Sequence, residues 1–104
     1  MLRSLDDLRV RLADGDFTFS RHAFVRSVER NISDDEIREA GRQAVLIENY
    51  PTDKYSPSCL LLGWSDAGRP LHLQVSRAET TMVHIITLYE PDEKEWGAGY
   101  TKWR

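Results

Sequence analysis

The chain has 104 residues, 40% of them hydrophobic and 30% charged, and a net charge of −3. That is enough to bury one core, so residues 1–104 are read as a single domain and disorder is excluded. The negative balance excludes a protein that coats duplex nucleic acid through its overall charge. No apolar run approaches the roughly 20 residues of a membrane span, and the opening "MLRSLDDLRV" has acidic residues where a signal peptide needs an apolar centre. The single Cys59 cannot form an intramolecular disulfide. The expected location is the cytoplasm, with no membrane partner.

"SLDDLRVRLADGD" predicts a short first helix, with Ser4 as N-cap, Asp6 and Asp7 at the positive end of the dipole, and Gly15 at the stop. Leu5, Leu8 and Leu12 fall on one face of it. "DFTF" alternates as a brief strand would. "FSRHAFVRSVERNIS" predicts a second helix capped by Ser20. On its wheel Phe24, Val25 and Val28 share one side, taken as the buried one. His22, Arg26 and Glu29 share the opposite side, with Arg30 beside them. "SDDE" is a capping box from Ser33 to Glu36 that opens a third helix, with Ile37, Ala40 and Ala44 facing inward and Gly41 weakening its end.

From there the period changes to two. Residues 44–50, 58–65, 70–76 and 81–89 are predicted strands, joined by loops short enough for an antiparallel meander. Pro91 stops the last strand. Trp96, Tyr100 and Trp103 predict a tail that docks on the domain. The expected fold is α+β, with N-terminal helices packed on a four-stranded antiparallel sheet whose other face is partly open. The expected core includes Phe24, Val28, Ile37, Leu60, Leu62, Leu73 and Ile85.

"SRHAFVRSVERNIS", "VLIENYP" and "IITLYEPDEKEW" together resemble the small prokaryotic family named domain of unknown function 4258. The resemblance runs over about residues 17–96. It rests on His22-Ala23 with Arg26 and Arg30 beyond, on Ile47 to Tyr50, and on Thr87 to Asp92 with Trp96. Some members of that family resemble the toxin half of toxin–antitoxin pairs. They are similar to the RelE and MqsR type, which carries helices on an antiparallel sheet and cuts RNA without metal. The resemblance therefore implies an RNA substrate, an antitoxin partner and a hydrolase-like activity with no cofactor. Those toxins are usually basic, and this chain is acidic.

Metal-free RNA cleavage needs a base for the 2′-hydroxyl, a cation for the phosphoryl transition state and an acid for the leaving oxygen. The candidate catalytic set is His22, Arg26 and Tyr89. His22 supplies a ring that titrates near neutral pH, the Arg26 guanidinium favours the ring's neutral form, and Tyr89 donates a proton or stacks on a base. Arg30 is a bidentate phosphate ligand, and Lys102 and Arg104 reach for phosphate from the tail. Tyr50 and Thr87, both within the quoted motifs, are supporting residues. Each has a bland counterpart. The arginine row also reads as a solvated helix face with Arg26 paired to Glu29 or Arg30, the tail as an ordinary terminus, and Tyr50, Tyr55 and Trp64 as sheet core rather than a base-stacking patch. The same arginines and tail aromatics also suit a non-enzymatic protein-interaction module. His22, His72, His84 and Cys59 match no zinc spacing, and no phosphate loop or nucleophile elbow is present, so neither a metal nor a cofactor is expected.

Overall fold

The computed structural model describes residues 2–54, 56–92, 94–97 and 99–101. Helix α1 spans Leu5–Ala13 and is capped as its sequence requires, the Ser4 hydroxyl accepting from the Asp7 amide at 3.1 Å. Strand β1 is Phe17–Phe19. Helix α2, Arg21–Glu29, starts where the Ser20 hydroxyl accepts the Ala23 amide at 2.9 Å. It is followed by Asn31 in the left-handed region at φ 52°, a conformation asparagine tolerates. Helix α3, Asp34–Arg42, opens on the predicted capping box, with both Ser33 and Glu36 engaged. Strands β2 (Val45–Tyr50), β3 (Ser58–Trp64), β4 (Pro70–Ser76) and β5 (Val83–Tyr89) follow.

The strands form one sheet in the order β1-β5-β4-β3-β2. The expected four-stranded antiparallel sheet is therefore corrected to a five-stranded mixed one. β2 to β5 make the antiparallel meander, while β1 adds to the far side of β5 in parallel, Phe17 opposite Val83 and Phe19 opposite Ile85. Alternation could flag "DFTF" as extended, but a parallel partner so distant in sequence leaves no local trace.

One sheet face carries the helices. α3 packs on α1 and β3, and α2 lies on β5. Leu8, Leu12, Ile37, Ala40, Leu61, Leu73, Val75, Ile85 and Leu88 form the core between them. Two glycines set its spacing. A Cβ on Gly41 would meet Leu12 Cβ at 2.4 Å, and one on Gly63 would lie 2.0 Å from the Ala40 carbonyl oxygen. Gly41 is thus the contact point between α1 and α3 more than a weak helix end. Cys59 is wholly buried among these residues, and burial pushes its thiol up to about 11, as suits a small core residue.

The expected core is corrected at α2. Ile37, Leu60, Leu62, Leu73 and Ile85 are buried, but Phe24 and Val28 are 56% and 63% exposed. The helix buries Ala23 and Ser27 instead. Small side chains let α2 lie close against β5, and the large apolar ones face outward.

The other sheet face has its own cover. Leu60, Leu62 and His72 are buried on it, and Trp96, itself 0% exposed, stands edge-on to the His72 ring at 4.4 Å between centroids. No helix among the described residues is long and apolar enough to cross a membrane.

Candidate functional site

Period-two alternation puts the polar residues of the meander on this outer face. Leu62, His72 and Tyr89 lie in register on adjacent strands, and Leu60, Gln74 and Thr87 form the next row. Tyr50 lies opposite Ser58 at the far edge, beyond an irregularity between Leu46 and Glu48. There the Tyr50 hydroxyl donates to the Glu48 carboxylate at 2.5 Å, and Asp53 accepts from Ser58 at 2.7 Å and from Gln74 at 3.3 Å.

His72 sits at the middle of this face. Its Nε2 is 2.9 Å from the Tyr100 carbonyl and its Nδ1 is 3.2 Å from the Tyr89 hydroxyl. Burial holds the imidazole below its ordinary value, against the Tyr100 carbonyl and the Glu48 charge, which both raise it. The ring is therefore neutral at neutral pH. A carbonyl can only accept, so Nε2 carries the hydrogen, and Nδ1 accepts from Tyr89. Burial, then Glu48 and Glu95, raise the Tyr89 phenol, while Arg30 opposes them. Burial and the Glu48 bond raise Tyr50 as well. Both phenols thus keep their protons in neutral solution, and one carboxylate, Glu48, acts on Tyr50, His72 and Tyr89 together.

Neutral His72 makes the fold sensitive to acid. Its folded value lies below the ordinary 6.5, so on acidification the unfolded chain takes up this proton first. Stability is then full above about pH 6.5 and falls as pH drops below it, until the folded ring itself titrates. Melting temperature should decline between about pH 6.5 and pH 5, and His72→Gln should flatten that slope. A wild-type melting temperature that is level through this range would mean that the ring is not held neutral. Asp7 and Glu36, both lowered, add their own losses only near and below the ordinary carboxylate range.

Beside Tyr89 opens a cleft of about 670 Å³, lined by Arg30, Arg69, Tyr89, Glu90, Asp92 and Glu95. Arg30 anchors through one Nη1 bond to the Leu88 carbonyl at 3.0 Å. Arg69 binds Glu90 at 2.6 Å, Glu36 at 3.2 Å, and the carbonyls of Arg30 and Asn31 at 2.8 Å each. Its positive charge thus caps the negative end of α2.

The sequence-predicted site residues therefore divide. Arg30 and Tyr89 share the cleft, and Tyr50, Thr87 and Tyr89 share the outer face. His22 is exposed at the first turn of α2, about 12 Å along the helix from Arg30 at a rise of 1.5 Å per residue. Arg26 pairs with Glu29 at 3.3 Å. Neither lines the cleft. Lys102, Arg104, Trp103 and Tyr55 lie outside the described residues. Sequence reasoning missed Glu48, Arg69 and His72 as members of the site. The alternation of "LHLQVS" sets His72 apart from Leu71, Leu73 and Val75 on the polar face, but nothing local tells of Tyr89, Trp96 and Tyr100 closing around it. Among the described residues no three His, Cys, Asp or Glu side chains converge as a metal site requires.

Comparison with known proteins adds one finding. No curated protein and no solved structure matches the chain. The family described as domain of unknown function (DUF4258) matches residues 19–90, which run from the last residue of β1 to the residue after Tyr89 and include His22, Arg30, Glu48, Tyr50, His72 and Tyr89. That span is more than half of the sequence, and the chain belongs to this family.

Proposed function

We propose that this protein is a metal-independent RNA endonuclease of the compact toxin type, acting in the cytoplasm under the restraint of an antitoxin, with its chemistry on the outer sheet face. The observation that carries the reading is the meeting of Arg30 and Tyr89 at one cleft, with the Glu48 charge across the same face acting on the Tyr89 phenol. Helices on one face of the antiparallel meander, with a polar opposite face, also suit the resemblance to RelE and MqsR.

The roles follow from charge and protonation. Glu48 takes the proton of the 2′-hydroxyl, and the 2′-oxygen attacks phosphorus. The bond from phosphorus to the 5′-oxygen breaks, Tyr89 gives that oxygen its proton, and a 2′,3′-cyclic phosphate is left. Tyr89 suits the acid because its phenol is held protonated, and its hydrogen, given to His72 Nδ1 at rest, turns to the leaving oxygen in the reaction. Arg30 receives the phosphate oxygens. Arg26 and His22, about one and two turns from Arg30, guide the strand and take no part in the chemistry.

The test is cleavage of a single-stranded RNA by the purified chain, with end-group analysis. Tyr89→Phe and Glu48→Gln should each lower the rate at least 100-fold, roughly the lower end for a lost general acid or base, while His22→Ala leaves it near wild type. Loss on His22→Ala with retention in Tyr89→Phe would move the chemistry to α2. An inert wild-type protein would end the reading.

A further inference from the structure

A second cavity, of about 430 Å³, opens toward the β2 edge of the outer face, lined by Asn49, Tyr50, Pro51, Thr52, Asp53 and Gln74. The turn after β2 makes it. The Asp53 amide returns to the Tyr50 carbonyl at 3.3 Å, and this carries the Asp53 carboxylate back toward β3 and β4. There its Oδ2 accepts from the Ser58 hydroxyl at 2.7 Å and from Gln74 Nε2 at 3.3 Å. Ser58 is wholly buried, so a donor fixed by the fold holds the carboxylate in place. A carboxylate only accepts, so the Gln74 amide turns its nitrogen to Asp53 and its oxygen away. Among the described residues neither Asp53 Oδ1 nor Gln74 Oε1 has a hydrogen-bond partner, and neither is sealed in the interior. Two acceptors thus stay open at one cavity.

That pattern selects a ligand. Guanine presents two neighbouring donors on its Watson–Crick edge, N1–H and the N2 amino group. Adenine, cytosine and uracil each set a donor beside an acceptor there, and two acceptors leave such an edge partly unpaired. Position points the same way. Gln74 stands opposite Thr87, and His72 opposite Tyr89, so Gln74 and Tyr89 are diagonal neighbours, about 7–8 Å apart, a reach that one nucleotide spans. Tyr50, at the cavity wall, gives its hydroxyl to Glu48 at 2.5 Å. We propose that this cavity holds the guanine of the nucleotide whose 2′-hydroxyl attacks, so that RNA is cut on the 3′ side of guanosine. N1–H is given to Asp53 and N2–H to Gln74, and the Tyr50 ring is the surface on which the base stacks. The proposal rests on the outer-face reading above for the place of the phosphate. An arginine side chain also offers paired donors, but the nearness of Arg30 and Tyr89, where a phosphate is received, favours a nucleotide.

The experiment titrates the full chain with the 3′-monophosphates of guanosine, adenosine, cytidine, uridine and inosine by calorimetry. Guanosine should bind about tenfold or more above adenosine, cytidine and uridine, with inosine, which lacks the N2 amino group, in between. Asp53→Asn puts a donor in place of Oδ1 and should abolish the guanosine preference. Gln74→Met should bring guanosine down to inosine and leave inosine unchanged, a ratio that loss of fold does not produce. Equal binding of the four ordinary bases by the wild type overturns the proposal. So does a guanosine-to-inosine ratio unchanged in Gln74→Met, or tighter binding of acetyl-arginine amide than of guanosine phosphate. Cleavage is read separately. Guanosine-selective binding with RNA left intact supports the cavity's base preference while the nuclease reading falls. RNA cut without guanosine at the new 3′ ends keeps the nuclease and overturns this proposal.

Discussion

Arg69→Ala is expected to lower the unfolding free energy by about 3 kcal/mol, read from urea denaturation. The side chain sits in the turn between β3 and β4 and is only 25% exposed. Its guanidinium reaches across to Glu36 at the start of α3, to Glu90 after β5, and to the carbonyls of Arg30 and Asn31 at the end of α2. One residue therefore ties the end of α2, the start of α3 and the end of β5 together in that corner. Truncation removes the guanidinium that, with the Ser33 bonds, holds the Glu36 carboxylate below its ordinary range. It also leaves two helix-end carbonyls facing a vacated space. Arg69→Lys should restore less than half the loss, because an ammonium cannot fork to several acceptors in fixed directions. A loss under about 1 kcal/mol for Arg69→Ala would class the network with ordinary surface pairs.

Gly63→Ala is the second large effect, about 3 kcal/mol of destabilisation from the added methyl group alone. Taken by itself, replacing a strand glycine by alanine stabilises, since glycine loses more freedom on folding. Here the new Cβ would stand 2.0 Å from the Ala40 carbonyl oxygen and 2.6 Å from its carbon. Those are backbone atoms, so relief requires α3 to move off the sheet. At Gly41 the obstacle is the Leu12 side chain, with the nearest atom at 2.4 Å, and partial repacking is open to it. Gly41→Ala should accordingly cost less than Gly63→Ala in the same denaturation series. If Gly63→Ala is neutral or stabilising, α3 does not press on β3 as described.

What could be read in advance depended on how local the cause was. The Ser33–Glu36 box and the Ser4 and Ser20 caps are written within four residues and appear where expected. The four meander strands are likewise marked by alternation and turn residues. The face of α2 was misread because periodicity weighs large apolar residues, while close packing against β5 selected Ala23 and Ser27. The parallel pairing of β1 rests on contacts with residues far along the chain. For the candidate site, Tyr89 and Arg30 were legible from motif and charge, but their companions were not. His72 depends on Trp96 and Tyr100 from the tail, and Arg69 depends on a turn that happens to face the end of α2.

The parallel strand also fixes an order in time. Ser20, which starts α2, gives its amide to the Ile85 carbonyl and its hydroxyl to the Ile86 carbonyl, and β1 lies against the same strand. Both belong to the early part of the chain, yet neither has its partner until β5 has been made. The loop that must close between them holds most of the sequence, and its entropy is lost before the contact rewards it. During synthesis the first strand and the second helix therefore wait for nearly the whole polypeptide. Any shortened product ending before Val83 leaves Phe17, Phe19 and the buried side of α2 with no surface to meet, open to proteases and to other unfinished chains.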